Sequence, residues 1–188
     1  MKSPNPQQVA PPRKRVTRTR DALCSALLAL LEERAFEQIT VKEITAKAKV
    51  GYATFFRRYL DKDELLHDLA AQEIRRLLTM TLPLLITVDS RASTEALCAY
   101  VWEHRKLWRA LLTGGAANIL KEEYLAQALE MTKDIPHEGV SVPYDLAVTF
   151  CVTSGVEILA WWLKQENPLP VRTIADHFNR MAIAPVFT

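Results

Sequence analysis

The chain has 188 residues, 49% of them apolar and 24% charged, so it can form one domain of typical size with a small second one and bury a core. Its three cysteines, Cys24, Cys98 and Cys151, are odd in number and widely spaced. This usage suits a reduced, cytoplasmic protein better than a disulfide framework. No apolar run approaches the roughly 18 residues of a membrane span, so we expect a chain that is neither secreted nor membrane-spanning.

The formal net charge is only +2, but it is unevenly distributed. Residues 1–62 carry 13 Lys or Arg and 6 Asp or Glu, whereas residues 63–188 carry 11 and 16. Such an asymmetry points to an amino-terminal end that binds a polyanion. Taken alone, a run of charges can also be a solvated basic face that binds no partner.

Residues 1–12 hold four prolines together with Ser, Asn and Gln, and five basic residues follow by position 20. This composition predicts a disordered basic arm over residues 1–16. Such an arm can lie along phosphates or enter a minor groove, although it can equally be a solvated tail.

Residues 17–62 are predicted to be a domain of three helices, near 17–34, 41–47 and 52–58. Thr40 and Glu43 have the spacing of a capping box, and the apolar positions that follow recur at helical spacing. A turn around Gly51 separates the second helix from the third. Two helices joined by a turn of three or four residues place the second helix in a major groove. Asp61 and Glu64 repeat the capping box and predict that a fourth helix starts at Lys62.

This segment resembles the head of the TetR family of bacterial transcriptional regulators. The matching positions of the first helix are Leu23, Ala26, Leu27, Leu28, Leu30, Leu31 and Phe36. The other matching positions are Val41, Ile44, Ala48, Val50, Ala53, Thr54, Phe55, Phe56, Tyr59, Lys62 and Leu65. The resemblance covers about a quarter of the chain. Ala35 and Lys49 depart from it, since the family usually has a glycine at each of these helix ends, and Phe56 stands where a tyrosine hydroxyl usually reaches a phosphate.

The resemblance implies a homodimer that binds a near-palindromic double-stranded DNA operator and releases it when a small apolar or aromatic effector binds. It also implies repression, and it implies no cofactor and no membrane partner. Tyr52, Ala53 and Thr54 would face base edges, whereas Arg57, Arg58 and Lys62 would hold phosphates. The full set of expected DNA-binding residues is Thr40, Gly51, Tyr52, Ala53, Thr54, Phe56, Arg57, Arg58 and Lys62.

Residues 63–188 are predicted to be a helical effector-binding and dimerisation domain, so the fold class is all-α. The fourth helix should bend or end at Pro83. Further helices are predicted near 94–113, 117–133, 143–165 and 171–183, separated by Gly114-Gly115, by residues 136–139 and by residues 167–170. The helix near 143–165 is apolar almost all round and must be buried on two sides. In the family the last two helices form the dimer interface, which here implies Gly155, Leu159, Trp162, Ile174, Phe178 and Met181.

His104 shares a helical stripe with Leu97, Val101, Trp108 and Leu111. A histidine on such a stripe is a satisfied core residue in one interpretation. In the other it helps to line an effector cavity, which would be mostly apolar with a few polar groups. The candidate lining residues are Trp102, His104, Trp108, Tyr124 and Phe150.

Two other classes of protein were weighed. Glu64 and His67 form a Glu-x-x-His pair, the unit of di-iron sites in helical bundles, but such a site needs a second pair and two more carboxylates. A catalytic serine elbow, a P-loop and a dinucleotide fingerprint are all missing from the sequence, so we expect no enzyme. The second alternative is a helical module that binds a protein and not DNA.

Overall fold

The computed structural model describes residues 12–113, 117–134 and 142–186, and within these ranges every regular element is a helix. The all-α prediction is therefore confirmed. The helices are α1 (Pro12–Leu31), α2 (Val41–Ala48), α3 (Tyr52–Phe56), α4 (Lys62–Thr87), α5 (Ser90–Glu103), α6 (Arg105–Thr113), α7 (Ala117–Thr132), α8 (Tyr144–Lys164) and α9 (Val171–Phe178). A 3₁₀ turn (Phe36–Gln38) follows α1, and a π-helical turn (Asn179–Ile183) follows α9.

The chain divides into two compact units, Met1–Leu65 and Leu66–Thr188, here called unit 1 and unit 2. The predicted boundary after residue 62 lies close to this division, which falls inside α4. In unit 1, α2 packs on α1 and α3 on α2. The core consists of fully buried side chains from these helices and the turn between α1 and α2: Leu23, Leu27, Ile39, Ile44 and Phe55.

In unit 2, α5 packs on α9, while α6 and α7 pack on α8. Its largest fully buried side chains are Trp108 and Trp162. By length and composition α8 is apolar enough to cross a membrane, which the sequence analysis did not expect. Just over half of that stretch is buried inside the structure, as in the core helix of a globular domain.

Several predicted helix bounds are wrong. Helix α1 begins at Pro12, so residues 12–16, assigned to the disordered arm, are helical. Proline suits the first helical position, since the N–H that it lacks would have no partner there. Residues 1–11 lie outside the described ranges, as do Gly114-Gly115 and residues 136–139. Helix α4 continues through Pro83 to Thr87.

The helix predicted over 94–113 is two helices that meet at His104. His104 ends α5 with φ −104° and ψ 29°, outside the helical region, and α6 begins at Arg105. No glycine or proline marks this break, so the sequence pattern did not reveal it. The neighbours on the stripe, Val101 and Trp108, are buried as expected, but the His104 side chain is only partly buried.

Candidate nucleic-acid interface and effector domain

Lys62 holds the turn between α1 and α2. Its ammonium donates to the carbonyl oxygens of Phe36 at 2.9 Å, Glu37 at 3.3 Å and Ile39 at 3.0 Å. The nitrogen also lies 4.5 Å from the centroid of the Phe36 ring, a cation–π contact. An ammonium has three N–H donors, and all three have partners in unit 1. The structure thus gives Lys62 a structural role, and its predicted phosphate contact stays a prediction.

The predicted capping box at the start of α2 is confirmed. The Thr40 N–H donates to Glu43 Oε2 at 2.9 Å, and the Glu43 N–H donates to Thr40 Oγ1 at 3.3 Å. Arg34 donates to Glu43 Oε1 at 2.8 Å. The hydrogen bonds from Thr40 lower the pKa of Glu43 most, and the charge of Arg34 adds to this effect. The Thr40 hydroxyl, predicted to bind DNA, lies 2.7 Å from the Glu43 carboxylate.

The turn between α2 and α3 contains the only left-handed non-glycine residue in the described ranges. Lys49 ends α2 with φ 54° and ψ 40°, so its expected departure from a family glycine carries backbone strain. Ala35 does not, because φ −66° and ψ 149° are ordinary extended values. Gly51 precedes α3 without a side-chain cap, and its carbonyl accepts the Thr54 N–H at 2.8 Å.

The outer face of α3 carries aromatic side chains. Tyr52 is 50% exposed and Phe56 is 46% exposed, and their ring centroids lie 5.0 Å apart, edge to face. Phe55 is fully buried on the opposite side and lies 5.2 Å from the Phe56 ring. Ala53 is exposed. The structure therefore presents the predicted base-facing residues Tyr52 and Ala53, with Phe56, on the surface of unit 1.

Thr54 and Arg57 form a pair that the sequence analysis missed. Arg57 Nη2 donates to Thr54 Oγ1 at 2.8 Å, which the Thr-x-x-Arg spacing on one helix face allows. Arg58 donates through Nε to the Tyr59 hydroxyl at 3.4 Å, and its guanidinium lies 5.8 Å from the centroid of that ring. Two arginines of the predicted site are thus oriented by neighbours on the same segment.

The amino terminus of α4 is capped as predicted, with one difference. The Glu64 N–H donates to Asp61 Oδ1 at 2.8 Å, but the Glu64 carboxylate accepts the Leu60 N–H at 2.6 Å. Glu64, half of the Glu-x-x-His pair weighed as a metal ligand, is therefore engaged in a cap. Among the residues that the structure describes, no group of three His, Cys, Asp or Glu side chains could hold a metal ion.

The five candidate effector residues have different environments in unit 2. Trp108 and Tyr124 are buried, whereas Phe150 is 46% exposed. Trp102 is partly buried, and its ring stacks on that of Trp162 with 5.1 Å between the centroids. Burial raises the pKa of Tyr124. In the described ranges, no side-chain hydrogen bond or ring contact links these five residues to one another. Their grouping into one cavity stays a prediction, and the exposed Phe150 fits it least.

Unit 2 nevertheless buries polar groups. The carboxylate of Glu73, 4% exposed, accepts the Tyr100 hydroxyl, and Arg76 lies 3.5 Å from its other oxygen. Burial and the Glu73 carboxylate raise the pKa of Tyr100. Within the described part of the chain, three buried polar side-chain atoms have no hydrogen-bond partner: Trp108 Nε1, Gln127 Oε1 and Asn179 Oδ1.

Five of the six expected dimer-interface residues are already buried within their own subunit. Leu159, Trp162, Ile174 and Phe178 are at most 3% exposed. Gly155 faces Phe178, since a Cβ at residue 155 would lie 2.7 Å from Phe178 Cζ. Met181 is 66% exposed. These five residues are thus buried by packing inside one chain, and their part in a dimer interface stays a prediction.

Comparisons with known proteins agree with this geometry. Residues 23–69 match the profile of the bacterial regulatory proteins of the tetR family. An uncharacterized HTH-type transcriptional regulator of Bacillus subtilis strain 168, YxbF, is 42% identical over 57 residues, which is 30% of this chain and 15% of that protein. The alignment thus spans only a small part of that relative.

Solved structures extend the likeness of fold to most of the chain. A TetR transcriptional regulator from Streptococcus agalactiae 2603V is 21% identical and has a TM-score of 0.60, covering 90% of this chain and 96% of that one. RolR in complex with resorcinol is also 21% identical, with a TM-score of 0.62 and coverage of 92% and 93%. At this identity the likeness concerns the fold alone.

A capped three-helix head followed by a helical unit is the architecture of helix-turn-helix transcriptional regulators. Residues 23–69, which match the tetR profile, therefore form a helix-turn-helix domain of the type found in that family of bacterial regulators.

Proposed function

We propose that this chain is a repressor that binds a near-palindromic operator as a homodimer and releases it when a small aromatic molecule binds unit 2. The surface of α3 is the observation that supports DNA binding most. Tyr52, Ala53 and Phe56 are exposed on α3, and Arg57 is exposed directly after it; α3 follows the capped helix α2. That helix belongs to the half of the chain with the basic charge.

Selection of bound duplexes from a random pool tests DNA binding and yields the operator. On that operator, Arg58→Ala should weaken binding to specific and random duplexes about equally and flatten the salt slope by about one unit. Tyr52→Ala should cost roughly 1 to 3 kcal/mol mainly on the preferred site. Equal losses on both duplexes for both variants would remove Tyr52 from the base readers. A module that binds a protein would show a shallow dependence on salt, and no duplex would be enriched.

The dimer is proposed to form through the α8 stripe, defined as Leu146, Phe150 and Trp161. These three side chains are 46 to 55% exposed, and their spacing of 4 and 11 residues puts them on one helix face. Three large exposed apolar side chains on one face are typical of an interaction site. A two-fold dimer would supply the spacing of two α3 helices that a palindromic operator requires.

Phe150→Glu should give a folded monomer at micromolar concentration in sedimentation, because a carboxylate buried in an apolar interface is costly. Ile86→Glu is the matched control, since Ile86 is 54% exposed on α4 outside the stripe. It should leave the dimer intact. A Phe150→Glu protein that remains dimeric would place the interface elsewhere.

An aromatic effector is supported by the buried aromatic side chains of unit 2 and by the unpaired Trp108 indole N–H, which could donate to a ligand oxygen. Compounds that raise the melting temperature should be titrated with and without operator. Linkage requires that ligand and operator weaken each other's binding by the same factor, typically 5 to 150-fold. Trp108→Phe keeps a ring and removes the N–H, and should weaken ligand binding about fivefold. Hits that bind free and operator-bound protein equally would exclude release as their role.

A further inference from the structure

Tyr52 and Phe56, here called the aromatic pair, form a continuous apolar surface on the outer face of α3. They are one helical turn apart, their centroids lie 5.0 Å from each other, and about half of each side chain is exposed. The inner side of the Phe56 ring lies against the buried Phe55 ring at 5.2 Å. Phe56 therefore contacts the core of unit 1 on one side and is exposed on the other.

The side chains beside the aromatic pair offer less apolar surface than its two rings. Arg57 and Thr54 are hydrogen-bonded to each other at 2.8 Å, and Ala53 carries only a methyl group. Phe56 has no hydroxyl, so it cannot donate a hydrogen bond to a phosphate. Its exposed ring edge can contribute only an apolar contact.

The major groove offers such a ring a single apolar group. Base edges there present hydrogen-bond donors and acceptors, and the C5-methyl group of thymine is the exception. We propose that the aromatic pair reads the methyl group of one thymine in each operator half-site, so that residue 56 determines sequence specificity. This inference rests on the proposed binding of DNA by α3.

Replacing thymine with uracil tests the inference, because it removes the methyl group and leaves the base-pairing edge unchanged. Operator duplexes from the random-pool selection should carry uracil at one pair of symmetric positions at a time. At one such pair, the full-length protein should lose about fourfold in affinity per methyl, the fold-change that corresponds to roughly 0.8 kcal/mol. Phe56→Ala or Tyr52→Ala should bind the thymine and uracil operators equally. Arg58→Ala is the control, which should bind both more weakly and keep their ratio.

The comparison of thymine and uracil operators can be made with the wild-type protein alone. It therefore tests the inference even if the Phe56→Ala protein misfolds. Phe56→Leu retains an apolar contact and should keep part of the methyl effect. Enrichment of duplexes in which no thymine is sensitive to uracil would overturn the inference and leave DNA binding intact. The same would follow if the full methyl effect persisted in both aromatic variants. Failure to enrich any duplex would instead overturn the proposed function itself.

Discussion

Unit 1 and unit 2 are each stabilised internally, and the kinds of contact inside them differ. In unit 1, polar side chains close the turn between α1 and α2 and the start of α2: Lys62 donates to three carbonyl groups, and Glu43 caps α2. In unit 2, close apolar packing predominates, as where Phe178 meets the bare backbone of Gly155. Polar closure depends on a few residues at fixed spacing, whereas apolar packing depends on shapes that many sequences can supply. Substitutions at these contacts should therefore have distinct effects in the two units.

The largest effect is expected at Lys62. Lys62→Met removes a charged group that satisfies three carbonyl oxygens, so the free energy of unfolding should fall by about 2 to 3 kcal/mol in urea denaturation followed by circular dichroism. Lys47→Met is the control, because Lys47 forms an exposed ion pair with Glu33 and should cost less than about 0.5 kcal/mol. A Lys62→Met protein that is as stable as the wild type but binds DNA poorly would support the predicted phosphate contact. It would also contradict the proposed difference between the two units.

Gly155→Ala tests the packing of unit 2. The added Cβ would overlap the buried Phe178 ring, and the strain should outweigh the better helix propensity of alanine by about 1 to 2 kcal/mol. Ser154→Ala, at the adjacent and partly exposed position, should be neutral or slightly stabilising. Combining Gly155→Ala with Phe178→Leu should recover part of the loss. If the loss appeared only as dissociation of a dimer at low concentration, Gly155 would lie at the interface first predicted.

A gain of stability is expected at Lys49. Lys49→Gly should relieve left-handed strain and raise the free energy of unfolding by about 0.5 to 1 kcal/mol after the greater chain entropy of glycine is counted. Ala35→Gly is the matched comparison and should lose stability, because the extended Ala35 has no strain to relieve. If Ala35→Gly raised the free energy of unfolding and Lys49→Gly did not, the strained helix end would be the one at residue 35.

The smallest effect concerns pH. Hydrogen bonds from Thr40 lower the pKa of Glu43 below its ordinary value of 4.5 in the folded chain. The ionised Glu43 thus contributes stability that is present above about pH 4.5 and is lost as pH falls through the folded pKa. Unfolding curves between pH 3 and 7 should show a shallower acid loss for Glu43→Gln than for the wild type. Parallel curves would mean that the cap is insensitive to ionisation.

Physical differences between the units explain which features the sequence could predict. The cap at Thr40 and the turn at Gly51 depend on local spacing, so both were predicted. The role of Lys62 depends on carbonyl groups more than twenty residues away, which no local pattern reveals. In unit 2 the helices were predicted from periodicity, but their partners were not, because an apolar stripe does not tell whether it faces its own chain or another. The break at His104 had no glycine or proline to mark it.

The location of the tryptophans, including the stacked pair Trp102 and Trp162, has a spectroscopic consequence. All four tryptophans of the chain, at positions 102, 108, 161 and 162, belong to unit 2, and unit 1 contains none. With excitation selective for indole, fluorescence therefore comes from unit 2 alone, while far-ultraviolet circular dichroism records the helices of both units. A difference between the two signals during denaturation would separate the unfolding of unit 1 from that of unit 2, without any added label.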